Sequence, residues 1–136
     1  MKPVRRCKLL CIASVLIFLL GVIRGIGGVI DLINDTDIMV GTNISIIVLA
    51  LLTIILIFLS AAAIITAIGV FEQDEKFIFI GMALSAVFIF YSILKGYILF
   101  GNTISDAAII NIFAGCIIIS LLTIGKKSLY KRSLSE

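Results

Sequence analysis

Histidine and tryptophan are absent from this chain of 136 residues, cysteine occurs three times, and charged residues make up only 14%. Without histidine there is no imidazole for a metal site, a proton relay or a Ser/His/Asp set. A Cys-x-x-Cys pair, a phosphate-binding glycine loop and paired carboxylates within an apolar segment are missing too. Membrane proteases, quinone-linked thiol oxidoreductases and haem proteins all depend on such groups. We therefore expect no catalytic residue, no metal and no other cofactor, and a chain that is not an enzyme.

The cysteines add little. Cys7 and Cys11 are four apart and share a helical face, and Cys116 lies inside an apolar run. Cytoplasmic thiols stay reduced, which argues against a structural disulfide, and two thiols without further ligands cannot complete a zinc site. In a eukaryotic host, membrane-proximal acylation would be open to them. Small apolar residues near an interface is the simpler reading.

What is abundant is oil. Hydrophobic residues reach 62% and mean hydropathy is +1.31, against roughly 45–50% apolar residues in soluble domains. Four apolar runs cover Leu9 to Ile30, Ile46 to Val70, Phe77 to Phe100 and Ala107 to Ile124. About 20 apolar residues cross the hydrocarbon layer as a helix, and in lipid each segment must satisfy its own backbone amides. The fold class expected is an all-α membrane protein: a four-transmembrane-helix bundle, up-down-up-down, filling residues 1–136 as one integral membrane domain.

Residues 2–8 followed by Leu9 to Leu20 resemble the n- and h-regions of a signal peptide, and Gly25-Ile26-Gly27 resembles a weak cleavage site. Because the apolar stretch continues to Ile30, a retained signal-anchor helix is the expectation.

Charge placement orients the bundle. Lys2, Arg5, Arg6, Lys8, Lys76, Lys126, Lys127, Lys131 and Arg132 all fall on one side, whereas Asp31 to Ser45 and Gly101 to Asp106 hold Asp31, Asp35, Asp37 and Asp106 and no basic residue. The positive-inside rule then makes both termini cytoplasmic. The isoleucine-rich composition suggests an AT-rich genome, hence a prokaryotic cytoplasmic membrane. The lipid bilayer is the expected partner, with a homo-oligomer or larger membrane complex beside it. Nucleic acid is not expected, since no soluble basic surface exists.

Asn34-Asp35-Thr36 and Asn43-Ile44-Ser45 match the glycosylation pattern, which a prokaryotic source would leave silent. Ile23-Arg24-Gly25 and Leu94-Lys95-Gly96 form a weak internal repeat, as do the ends of the second and fourth runs, consistent with two duplicated hairpins.

Membrane helices associate through small residues that let backbones approach. The first run offers Ser14, Gly21, Gly25 and Gly28 on one face, and the third offers Gly81, Ser85, Ser92 and Gly96. In the second, Thr53, Ser60 and Ala67 follow a heptad spacing. These are the expected helix-packing seams.

Arg24 and Lys95 are the charges inside apolar runs, each costing roughly 2.5–3.5 kcal/mol at mid-bilayer. Both fall toward the outer end of their helices, where snorkelling removes most of that cost. Asp31 sits two turns beyond Arg24, Asp106 and Asn111 open the fourth helix, and Tyr91 neighbours Lys95. Arg24, Lys95, Asp31, Asp106, Asn111 and Tyr91 are thus a candidate ligand-binding cluster, with structural pairing as the competing explanation. Three readings follow: a non-enzymatic subunit or accessory of a membrane assembly; an oligomeric small-solute or anion transporter or channel at the Arg24/Lys95 level; and, last, a lipid-directed enzyme using the outer aspartates. The buried glutamate of small proton-coupled exporters and the cysteine and tryptophan signatures of tetraspanins and claudins are all missing.

Overall fold

A computed structural model describes residues 7–38, 46–100 and 106–135, apart from the side chains of 31–38, 46, 49, 99, 100, 106 and 107. Those residues form four helices: α1 (Lys8–Ile38), α2 (Ile46–Phe71), α3 (Glu75–Phe100) and α4 (Asp106–Ser135). Each contains a segment long and apolar enough to cross a membrane: Lys8–Ile30, Ala50–Phe71, Glu75–Ile98 and Ala108–Ser135. The chain is an all-α, four-helix integral membrane protein.

Two boundaries differ from the expectation. The first helix does not stop at Ile30; it continues through Ile38, so the first part of the expected Asp31 to Ser45 loop is helical. The fourth does not stop at Ile124 but runs on to Ser135. The physical reason is that hydropathy marks where a helix leaves the oil, not where it ends. No glycine or proline interrupts residues 29–38, so nothing forces a stop there. At the other end Arg132 lies in the last turn of α4, where a cation favours the negative helix terminus. Leu129 also packs against the core, tying the extension to the bundle.

Contacts between neighbours run in opposite chain directions. Ser14 meets Ala67, Gly21 meets Ala63, and Gly28 meets Leu56 between α1 and α2. Gly81 meets Leu122 and Gly115 meets Ile89 between α3 and α4. Gly69 meets Phe77 between α2 and α3, and Gly125 meets Leu10 between α4 and α1. The four helices therefore close a ring, each antiparallel to its neighbours. Gly81 sits where all four converge: a Cβ there would lie 3.0 Å from Leu122, and 3.5 Å from both Ile17 and Thr66. Around that level Leu10, Ile17, Val70, Ile78, Phe88, Ile118 and Leu122 fill the interior.

The outside is equally apolar. Ile23, Phe58, Phe90 and Phe113 are 63–73% exposed. In water such a coat would be an aggregation surface; against lipid tails it carries no penalty.

The α2–α3 turn closes tightly. Asp74 N–H donates to the Gly69 carbonyl (3.2 Å) and Gln73 N–H to that of Val70 (2.9 Å), the Schellman pattern, with Gln73 at φ 65°. Asp74 then caps α3, its Oδ1 accepting from Lys76 N–H at 2.9 Å. Glycine adopts that positive φ without Cβ strain. Gln73→Gly is therefore expected to raise stability by up to about 1 kcal/mol, the roughly 1–2 kcal/mol cost of a left-handed residue with a Cβ less the entropy that glycine adds to the unfolded chain, read as a higher midpoint in a detergent thermal melt.

Candidate functional site

The most developed polar feature joins three helices near the α1–α2 and α3–α4 connections. Arg24 is half-buried on α1, and Asn111 is buried on α4 with 4% exposure. Arg24 Nε donates to Asn111 Oδ1 at 2.7 Å, and Arg24 Nη2 donates to the same oxygen. A guanidinium has only donors, so the amide must turn its oxygen toward Arg24 and its nitrogen away. That nitrogen, Asn111 Nδ2, donates to Ser92 Oγ on α3. Ser92 Oγ donates in turn to the Phe88 carbonyl one turn back, at 2.9 Å. The chain thus has a single direction, from cation through amide and hydroxyl to a backbone acceptor.

Of the residues proposed for the cluster, the structure joins Arg24 and Asn111 directly. Tyr91 faces elsewhere: its hydroxyl donates to the Leu52 carbonyl of α2 at 2.7 Å, so it fastens α3 to α2. Lys95 is half-buried one turn beyond Ser92. The side chains of Asp31 and Asp106 lie outside the described residues. Ser92 is the member that sequence reasoning placed only in a packing seam. Its position one turn before Lys95, on the same helical face, was the available signal.

Small residues set the spacing around this site. A Cβ on Gly21 would lie 3.0 Å from Ala63 Cβ and 3.0 Å from the Ser60 carbonyl; one on Gly25 would meet Ser60 Cβ at 3.3 Å, and one on Gly28 would meet Leu56 at 3.4 Å. Ser60 and Ala63 are the buried small residues of α2 that receive Gly21 and Gly25. On α3, Ser85 is buried with its hydroxyl on the Gly81 carbonyl (2.9 Å), and Gly96 is buried. Gly69, Gly115 and Gly125 were not singled out as packing residues. Yet a Cβ on Gly69 would fall 2.0 Å from the Phe77 ring, and one on Gly125 would fall 2.5 Å from Leu10.

The glycine face of α1 is turned to α2, which leaves its bulky residues to meet α4. Between these two helices a groove of about 480 Å³ opens, lined by Leu16, Leu20 and Ile23 on one wall and Ile110, Ala114 and Ile118 on the other. Arg24 and Asn111 form its one polar end. Farther along the seam, Gly125 lets α4 close onto Leu10.

Among the described residues no three or more His, Cys, Asp or Glu side chains come together as a metal site. No protein-family model matches the chain, and no similar curated protein or solved structure is found.

Proposed function

We propose that this small multi-pass membrane protein is a non-enzymatic subunit or accessory of a larger membrane assembly, held in a prokaryotic cytoplasmic membrane with both termini cytoplasmic. One observation carries the reading. Among the described residues, the only buried side-chain polar atom without a hydrogen-bond partner is Gln73 Nε2, in the α2–α3 turn outside the apolar spans. The buried polar groups within the spans are occupied in holding helices together, as at Asn111, Ser14 and Tyr91, or bond to their own helix, as at Ser60 and Ser85. Among the described residues these groups are occupied by the fold itself, and Phe88, Ile118 and Leu122 fill the space where a monomeric pore would run. Beyond the apolar run that ends at Ile124, α4 carries the exposed Lys126, Lys127, Lys131 and Arg132, a basic surface for a partner to grip.

Extraction in a mild detergent, with cross-linking beforehand, tests this. A stoichiometric protein partner is expected; a clean monomer without one would sink the reading.

The alternative, an oligomeric anion conductor, draws support from Arg24 lining an open groove rather than the closed interior. In that case copies would have to meet at the groove to enclose a path. Under the subunit reading, liposomes holding the purified protein show no chloride flux above background. Under the alternative they do, and Arg24→Gln and Lys95→Gln abolish it in variants that thermal melts show to be folded.

A further inference from the structure

We propose that the bundle opens like a book. The α1–α2 and α3–α4 pairs are its two rigid leaves, the α2–α3 seam is its spine, and Arg24 on Asn111 latches the α1–α4 edge. The motion requires neither a protein partner nor a conducted solute.

Two of the four seams are deep and two are slender. α1 packs most extensively on α2, and α3 packs more on α4 than on α2; the α2–α3 and α1–α4 seams are the thin ones. Close backbone approach builds the deep ones. In the first leaf Gly21 lies against Ala63 and the Ser60 carbonyl, and Ser14 Oγ donates to the Ala67 carbonyl at 2.6 Å. In the second, Gly81 receives Leu122, Gly115 receives Ile89, and Asn111 Nδ2 donates to Ser92 Oγ. Thr123 Oγ1 adds a contact to Met82 Sδ at 3.6 Å. Each leaf has its own close packing and its own hydrogen bond between helices.

The slender seams differ in what closes them. Along α2–α3 the chain itself is continuous. The Schellman turn joins the two helices, the Phe77 ring lies over Gly69, and the Tyr91 hydroxyl reaches the Leu52 carbonyl farther along. Those fastenings make a spine. Between α1 and α4 no turn exists. Leu10 seats on Gly125 toward one end, Arg24 reaches Asn111 toward the other, and a groove separates the helices between them.

The bilayer decides which of these closures carries weight. Turning Leu10, Ile17, Ile118 and Leu122 from the interior toward lipid tails loses packing contacts, but lipid is as apolar as leucine and adds no hydrophobic penalty. Parting Arg24 from Asn111 is a different matter, because a buried amide oxygen then loses a cationic donor. Asn111 is also tied to Ser92 inside its own leaf. Its bond from Arg24 therefore couples leaf to leaf, and breaking that bond leaves α3 and α4 joined. Rotation of rigid units about a packed seam is an established mode of protein motion, and a latch of this kind keeps the open form a minor population.

Distances between paired spin labels, read by pulsed electron paramagnetic resonance on the full chain in lipid nanodiscs, test the motion. In a background of Cys7→Ala and Cys11→Ala, labels at Ile26→Cys and the native Cys116, both exposed, span the α1–α4 edge. Ile26→Cys with Ile54→Cys, and Cys116→Ala added, reports on the first leaf; Phe90→Cys with Cys116 reports on the second.

Arg24→Leu, which leaves Asn111 on Ser92, is expected to raise the ratio of long to short α1–α4 distances by on the order of tenfold. Both distances within the leaves should stay as they are without it. Arg24→Lys keeps the charge and loses the planar fork, so it should shift the ratio the same way by less. Thermal melts establish which labelled variants are folded, and Arg24→Lys carries the comparison if Arg24→Leu is not. Unchanged α1–α4 distances in a folded variant, or a leaf that widens along with the edge, would each overturn the proposal.

Discussion

Asn111→Leu is expected to destabilise the bundle by about 1.5–3 kcal/mol, the range for a hydrogen bond to a charged group. The substitution removes the oxygen that accepts from both Nε and Nη2 of Arg24. Arg24→Leu should also destabilise, because Asn111 Oδ1 then loses its cationic donor in a buried position. The informative variant is the double one. With Arg24→Leu and Asn111→Leu together, neither end of this bond is left without the other, and Ser92 still reaches the Phe88 carbonyl. Replacing both partners of a buried polar pair by apolar residues is often close to neutral. Detergent thermal melts of the four proteins form the cycle, and recovery of most of the loss in the double variant is the expected result. If the two losses simply add, the residues are not acting on each other.

Gly21→Leu is the second large effect. A single Cβ at Gly21 already comes to 3.0 Å from Ala63 Cβ and from the Ser60 carbonyl, and the latter is backbone that cannot swing aside. A leucine must therefore push α1 off α2 and loosen the Gly25–Ser60 and Gly28–Leu56 approaches as well. Overpacking of this kind costs about 1–3 kcal/mol in a tight core, sometimes more. In lipid no hydrophobic force between helices offsets the lost close packing. Gly27→Leu serves as the control, because a Cβ there meets nothing within 4 Å. It should leave the melt unchanged, or raise it by up to about 1 kcal/mol as glycine leaves a helix interior. Equal behaviour of the two variants would remove the α1–α2 seam as the main source of cohesion.

Gly21 and Gly27 illustrate how far a sequence alone carries such an argument. Helical spacing separates the Gly21–Gly25–Gly28 face from Gly27, but not which neighbour that face meets or how closely. The seam at Gly69 shows the reverse. Near the end of an apolar run it looks like a terminator, and only the return of α3 places the Phe77 ring over it. Ser92 was visible as a small residue and not as the acceptor for Asn111, because that role depends on α3 and α4 being neighbours at one particular register.

The four spans, the lipid environment and the helical class were decided by the chain itself, since a bilayer imposes one length and one backbone solution on any segment that crosses it. The ends of α1 and α4 escaped that constraint, because a helix entering water meets no fixed thickness. Tertiary structure decided the rest: the ring order, the tie from Arg24 through Asn111 to Ser92, and the groove beside it. All three depend on which faces of separate helices come together, and that is set by how closely glycine lets α1 approach α2 and how far leucine and isoleucine hold it from α4.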